Sequence, residues 1–135
     1  MSRHARLLAA ATLVPLAAAA ALAAAARATP ALLSCTGHRL VRPAGEFVFA
    51  CADGNTAITH THWTSWGATT ATGTTDFLIN PCEPSCVASR MHSYPGATIR
   101  LLAPKRTKHG LVFTRASISY VAAGKHKTDI AYPAT

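Results

Sequence analysis

Three groupings of side chains in this 135-residue sequence have types and spacings that chemistry could use. The first is His60-Thr61-His62. Residues two apart on a β-strand leave from one face, so both imidazoles would project side by side. Such a pair makes half of a zinc or copper site, with His92 as a candidate third ligand. Nothing in the spacing supplies that third ligand. The plainer reading is two solvent-facing histidines with Trp63 turned to the core, with no metal and no cofactor. The second grouping is Trp63 and Trp66, three residues apart around a bend. Exposed, they would offer an aromatic platform for a sugar ring. Since each can bury a large area, the expectation is that Trp63 is core and Trp66 caps the edge of the fold.

The third grouping is the basic run Lys105-Arg106-Thr107-Lys108-His109. It belongs to a wider asymmetry of charge. Residues 29–89 hold Arg39 and Arg42 against Glu46, Asp53, Asp76 and Glu83, a balance of −2. Residues 90–135 hold eight Lys/Arg against Asp129 alone, a balance of +7. If the flanking segments form a hairpin, Arg100 and Arg115 extend the patch. A field of this kind attracts polyanions and weakens with salt.

Catalytic constellations are thin by comparison. No G-x-S-x-G occurs, and no serine sits beside an evident histidine–acid pair. With five acids in the whole chain, paired-carboxylate chemistry has few candidates. Asp53 is accounted for by a turn, Asp76 by a strand and Glu83 by a cysteine loop. Phosphate-cradling glycine loops and nucleic-acid motifs are absent, so no specific nucleic-acid partner is expected. The expectation is a non-enzymatic protein.

The elements that position these groups begin after an address. Residues 1–28 combine a basic start (Arg3, His4, Arg6), an uncharged alanine- and leucine-rich stretch and Ala26-Arg27-Ala28, which together read as a secretory signal peptide. The rest is long enough for one modest core, a single domain over 29–122 followed by a basic tail over 123–135. Four cysteines in a small exported domain read as two disulfides. Three connectivities are open. Loop geometry favours Cys82–Cys86, because Glu83-Pro84-Ser85 can turn tightly, and this leaves Cys35 with Cys51.

Beyond Cys35 no amphipathic helix is evident, and short segments stop at turn residues. Strands are expected over Glu46–Ala52, Thr56–Trp63, Ala68–Thr72, Thr74–Ile79, Val87–His92, Ala97–Leu102 and Leu111–Ala122. Asp53-Gly54-Asn55 is a hairpin signal, Gly73 a break or bulge, Tyr94-Pro95-Gly96 a turn and Pro104–Gly110 a basic loop. The spacing suits an all-β fold, a small disulfide-stapled β-sandwich or small barrel.

Residues 50–86 carry a further pattern: Ala50-Cys51-Ala52-Asp53-Gly54-Asn55, then Trp63-Thr64-Ser65-Trp66-Gly67, Ala71-Thr72-Gly73-Thr74 and Asn80-Pro81-Cys82-Glu83-Pro84-Ser85-Cys86. Arg90, His92, Tyr94-Pro95 and a strand end at Leu102–Pro104 extend it. The pattern resembles a group of small secreted actinobacterial proteins, with Thr61 standing where an aliphatic residue is expected. The resemblance implies export and a β fold and brings no activity with it.

Together these readings lead to a secreted or cell-wall-associated interaction module. It would bind an anionic wall polymer or membrane surface through Lys105, Arg106, Lys108 and His109, aided by Arg100 and Arg115. A rival reading is an inhibitor of an extracellular hydrolase, presenting the Asn80–Cys86 loop. A weaker one is a metal-binding protein using His60 and His62.

Overall fold

The structure, a computed structural model, describes residues 29–135. The segment read as a signal peptide lies outside the described residues. Eight strands follow in chain order: β1 (Leu32–Leu33), β2 (Arg39–Leu40), β3 (Phe47–Val48), β4 (Thr56–Trp66), β5 (Ala71–Ile79), β6 (His92–Thr107), β7 (Gly110–Ala122) and β8 (Lys125–Ala131). β1 and β2 form a small antiparallel pair. β3 to β8 form one antiparallel meander in sequence order. The sheet curls into a half-barrel, so the fold is all-β with disulfide staples, as its sequence suggests. Of the two forms expected, the curled single sheet stands nearer the barrel.

Alternation explains the curl. β5 and β7 bury every second residue along much of their length, and the buried rows continue across the strands. Phe47, Ile58, Phe77 and Tyr94 are successive cross-strand partners on β3 to β6. Ala71, Leu101, Ala116 and Ala131 make a second row from β5 to β8. These rows line the concave face, where Ile99, Phe113 and Ile118 complete the core. Fully burying each large side chain is worth about 1.5–3 kcal/mol.

The opposite face is hydroxylated. His62, Thr74, Thr98, Ser119 and Thr128 are successive partners from β4 to β8, all exposed. An antiparallel sheet packed on one side and wet on the other gives this pattern.

Three irregularities shape the sheet. β4 and β5 lose register between Thr59 and His62 and again between Trp63 and Ser65. Gly73 sits against the first of these bulges, where a Cβ would lie 2.6 Å from the His62 carbonyl oxygen. Only glycine allows that approach. Thr61 points inward there, and its hydroxyl pairs with that of Thr75 at 2.8 Å. The buried polar position where an aliphatic residue was expected is therefore satisfied. The third irregularity lies between Thr75 and Phe77, opposite Pro95 and Gly96. The expected turn at Tyr94-Pro95-Gly96 is instead part of β6, because the bulge accepts a proline that cannot donate to the ladder.

Other boundaries moved too. Strand structure in the segment expected over Glu46–Ala52 is confined to Phe47–Val48, and β5 starts at Ala71 rather than Ala68. Of the strand expected over Val87–His92 only His92 is strand, opening β6, while Val87–Ser89 turn and bend. The residues after Ala122, read as a basic tail, include β8, which pairs with β7 from Ala116↔Ala131 to Ala122↔Lys125. The disulfides are Cys35–Cys51 and Cys82–Cys86.

Residues 29–40 pack against β7 and the core. Leu32 enters the core, and Ala31 forms a parallel bridge with Val112 on β7. Arg39 locks that contact. Its guanidinium donates to the carbonyls of His109 (2.7 Å), Leu111 (3.0 Å) and Thr29 (3.0 Å). One side chain thus ties β2 to both the hairpin tip and the segment before β1.

Candidate anion-binding surface

β6 and β7 determine where the basic run sits. The run was expected in a loop over Pro104–Gly110. Instead the ladder continues to Thr107↔Gly110, and only Lys108 and His109 form the turn. Thr107 fixes that turn: its hydroxyl donates to the Gly110 carbonyl at 3.2 Å and accepts the His109 N–H at 3.1 Å. Because the residues before the turn are strand, neighbours leave from opposite faces. Lys105 lies opposite Val112 and Arg106 opposite Leu111. Arg106 faces a cleft shared with the β1–β2 turn, and Lys105 does not line it.

That cleft, of about 590 Å³, is bounded by Gly37, His38 and Arg39 on one side and by Arg106 to Gly110 on the other. No carboxylate lines it. The β1–β2 turn is closed by the Ser34 hydroxyl, which accepts the His38 N–H at 3.0 Å, and by the Ser34 N–H, which donates to the His38 carbonyl at 2.9 Å. Gly37, at φ +83°, is seated against the His109 ring. His38 and Arg39 are 70 or so positions from the hairpin tip, and nothing local in the sequence marks them as its neighbours.

Arg100 and Arg115 lie apart from the cleft. Arg100 pairs with Ser117 and Arg115 with Leu102, so the two are diagonal neighbours on the exposed face of β6 and β7. The six residues expected to form one patch are thus divided. Arg106, Lys108 and His109 line the cleft, Arg100 and Arg115 stand on the sheet face, and Lys105 leaves from the other side of its strand.

The remaining candidates have structural partners. His60 sits in the first β4 bulge at φ +50°, and its Nδ1 is 3.1 Å from Asp76 Oδ2. His62 is exposed on the hydroxylated face, whereas His92 begins β6 opposite Ile79. Among the described residues, no group of three His, Cys, Asp or Glu side chains is placed to hold a metal ion. Trp63 and Trp66 are half-buried, edge to face at 4.7 Å. Their indole N–H groups donate to the Pro43 and Pro30 carbonyls, both at 2.8 Å. Neither ring is a free platform, and Trp66 continues onto Phe113 at 5.6 Å.

The aspartates are engaged as well. Asp53 accepts from the Asn55 N–H at 3.1 Å, within the β3–β4 turn. Asp129 accepts the Tyr120 hydroxyl at 2.7 Å. Burial, and then that bond to a carboxylate, push the Tyr120 phenol well above its ordinary value.

The Cys82–Cys86 loop is exposed from Glu83 to Cys86 and rests on the β3–β4 turn through Asn55 and Cys82. Asn80 braces it, its amide donating to the Cys86 carbonyl at 3.0 Å and its oxygen accepting the Cys82 N–H at 2.9 Å. Just beyond the bridge, Val87 is 98% exposed and Met91 44%.

The two disulfides are compatible with an extracellular, oxidising environment. Comparison of the chain with protein-family models, with curated proteins and with solved structures finds no match.

Proposed function

We propose that this protein is an exported, non-catalytic module that binds an anionic surface of the cell envelope through the basic end of the β6–β7 hairpin. One observation carries the reading: Arg106, Lys108 and His109 converge with His38 on a cleft with no carboxylate in its lining. Arg100 and Arg115 add charge on the adjoining sheet face. A chain that leaves such cations unneutralised has a surface suited to polyanions. Outside the cell these are wall polymers and lipid head groups. Export is supported by the character of residues 1–28 and the two disulfides.

The direct test replaces Lys105, Arg106 and Lys108 by Ala and follows the protein between wall and medium. Retention falls while the thermal midpoint holds, since these side chains are exposed and bear little of the fold. Undiminished retention in the triple variant refutes the reading.

A second reading rests on Val87 and Met91. Apolar side chains this exposed beside a braced, disulfide-closed loop suit insertion into the cleft of an extracellular hydrolase. Inhibition that disappears in Val87→Asp would support it. A panel of exported proteases and lysozyme-type enzymes left fully active would dismiss it.

A further inference from the structure

We propose that the cleft between the β1–β2 turn and the β6–β7 tip is a discrete site for one phosphodiester group of a phosphate-linked polymer, with Arg106, Lys108, His38 and His109 as its ligands. The proposal rests on the envelope-binding reading and names the chemistry of its site.

Three features separate this cleft from a diffuse positive patch. The first is convergence. His38 comes from a turn tied to the tip by Arg39, whose guanidinium holds the carbonyls of His109 and Leu111. Donors from two distant parts of the chain therefore surround one space of about 590 Å³. The second is pre-organisation. Ser34 closes one wall and Thr107 the other, through the bonds described above, so a ligand need not order either turn on arrival. The third is donor chemistry. Arg106 can offer two parallel N–H groups to a pair of phosphate oxygens, and Lys108 adds a point charge. A diester keeps one negative charge and two free oxygens, which suits this set. The lining contains no acid to compete.

Shape selects a polymer over a membrane. A planar array of head groups meets convex, apolar-tipped surfaces well, and this site is concave. The large apolar side chains that are exposed among the described residues (Val41, Val87, Met91, Val121, Ile130 and Tyr132) lie outside its lining. A phosphate strung on a flexible chain can enter where a bilayer cannot.

The test is calorimetric titration of the purified protein with poly(glycerol phosphate), inorganic phosphate and phosphatidylglycerol vesicles at low salt. The polymer binds, inorganic phosphate competes weakly, and the vesicles bind less tightly than the polymer. Arg106→Ala lowers polymer affinity about tenfold, as loss of a charge-assisted pair should. His38→Gln lowers it several-fold. Lys105→Ala, leaving from the other side of the strand, stays within about twofold, while any effect of net charge alone would make Lys105 and Arg106 equivalent. Equal losses in the Lys105 and Arg106 variants, or vesicles binding in preference to the polymer, overturn the proposal. Envelope retention that survives the Arg106→Ala, Lys108→Ala double variant but is lost in the triple variant rejects the cleft and keeps the broader reading. Tight polymer binding by a protein found free in the medium keeps the cleft and rejects envelope retention.

Discussion

Arg39 organises the site without being expected to bind anything. Its three carbonyl partners belong to Thr29, to the hairpin turn at His109 and to β7 at Leu111. A guanidinium suits this role because its planar fork of donors can satisfy several acceptors at once, where an ammonium would not hold their angles. Tyr120 shows a different coupling, between burial and pH. Its phenol is pushed up from 10.0, first by burial and then by its bond to Asp129. The folded state therefore holds this proton more tightly than the unfolded chain does. The stability it contributes is whole below the ordinary phenol value and drains away as the pH climbs beyond it. Denaturant melts at about pH 9 and about pH 11 should show that drop in the parent and a smaller one in Tyr120→Phe. Parallel losses in the two proteins would contradict the assignment.

Elements were legible where local pattern and tertiary role agreed. β7 ends at Ala122 as its alternation requires, whereas the turn expected at Asp53-Gly54-Asn55 falls earlier, on Cys51–Asp53, closed by the Gly54 N–H donating to the Ala50 carbonyl at 2.8 Å. Gly73 marks a bulge, for a reason only the neighbouring strand reveals. β6 was harder to read. Pro95 and Gly96 are turn residues by type, but they form a bulge in β6 opposite Asp76 and so stay within the strand. β8 was illegible for the opposite reason. Lys125-His126-Lys127 has no apolar alternation, because an edge strand needs less cover and lysines there discourage further pairing. Its continuation as strand also shows why the basic loop was misplaced. A long β6–β7 hairpin, extending to Thr107 and Gly110, reduces that loop to two residues. The staples make a graded prediction at this scale. Cys35–Cys51 closes a 16-residue separation and Cys82–Cys86 only four. Loop entropy assigns them about 3 and about 2 kcal/mol respectively. Replacing both cysteines of the first pair by Ser should therefore cost more stability than replacing both of the second, as read by denaturant midpoints. The reverse order would mean that the exposed loop carries more of the fold than its position suggests.

At the scale of the whole molecule, the half-barrel separates its roles by face and by end. The concave face is core, the convex face is a sheet of short hydroxyls, and one end carries the cationic cleft. The Cys82–Cys86 loop lies away from it, braced on the β3–β4 turn where the Asn80 N–H donates to the Asn55 carbonyl at 2.9 Å, and Cys35–Cys51 in turn ties the β3–β4 turn to the β1–β2 turn. Composition alone located the positive half of the chain, but not the cleft, since no sequence signal joins His38 to Lys108. The arrangement predicts binding driven by charge at a small, pre-formed site, and hence sensitive to salt. Fractionation of a producing culture across a salt series tests this most directly, with the protein followed among medium, wall and membrane. The account predicts protein held on the wall at low salt and released by roughly a few hundred millimolar salt, where screening acts within a few ångströms. Protein free in the medium at the lowest salt would contradict it.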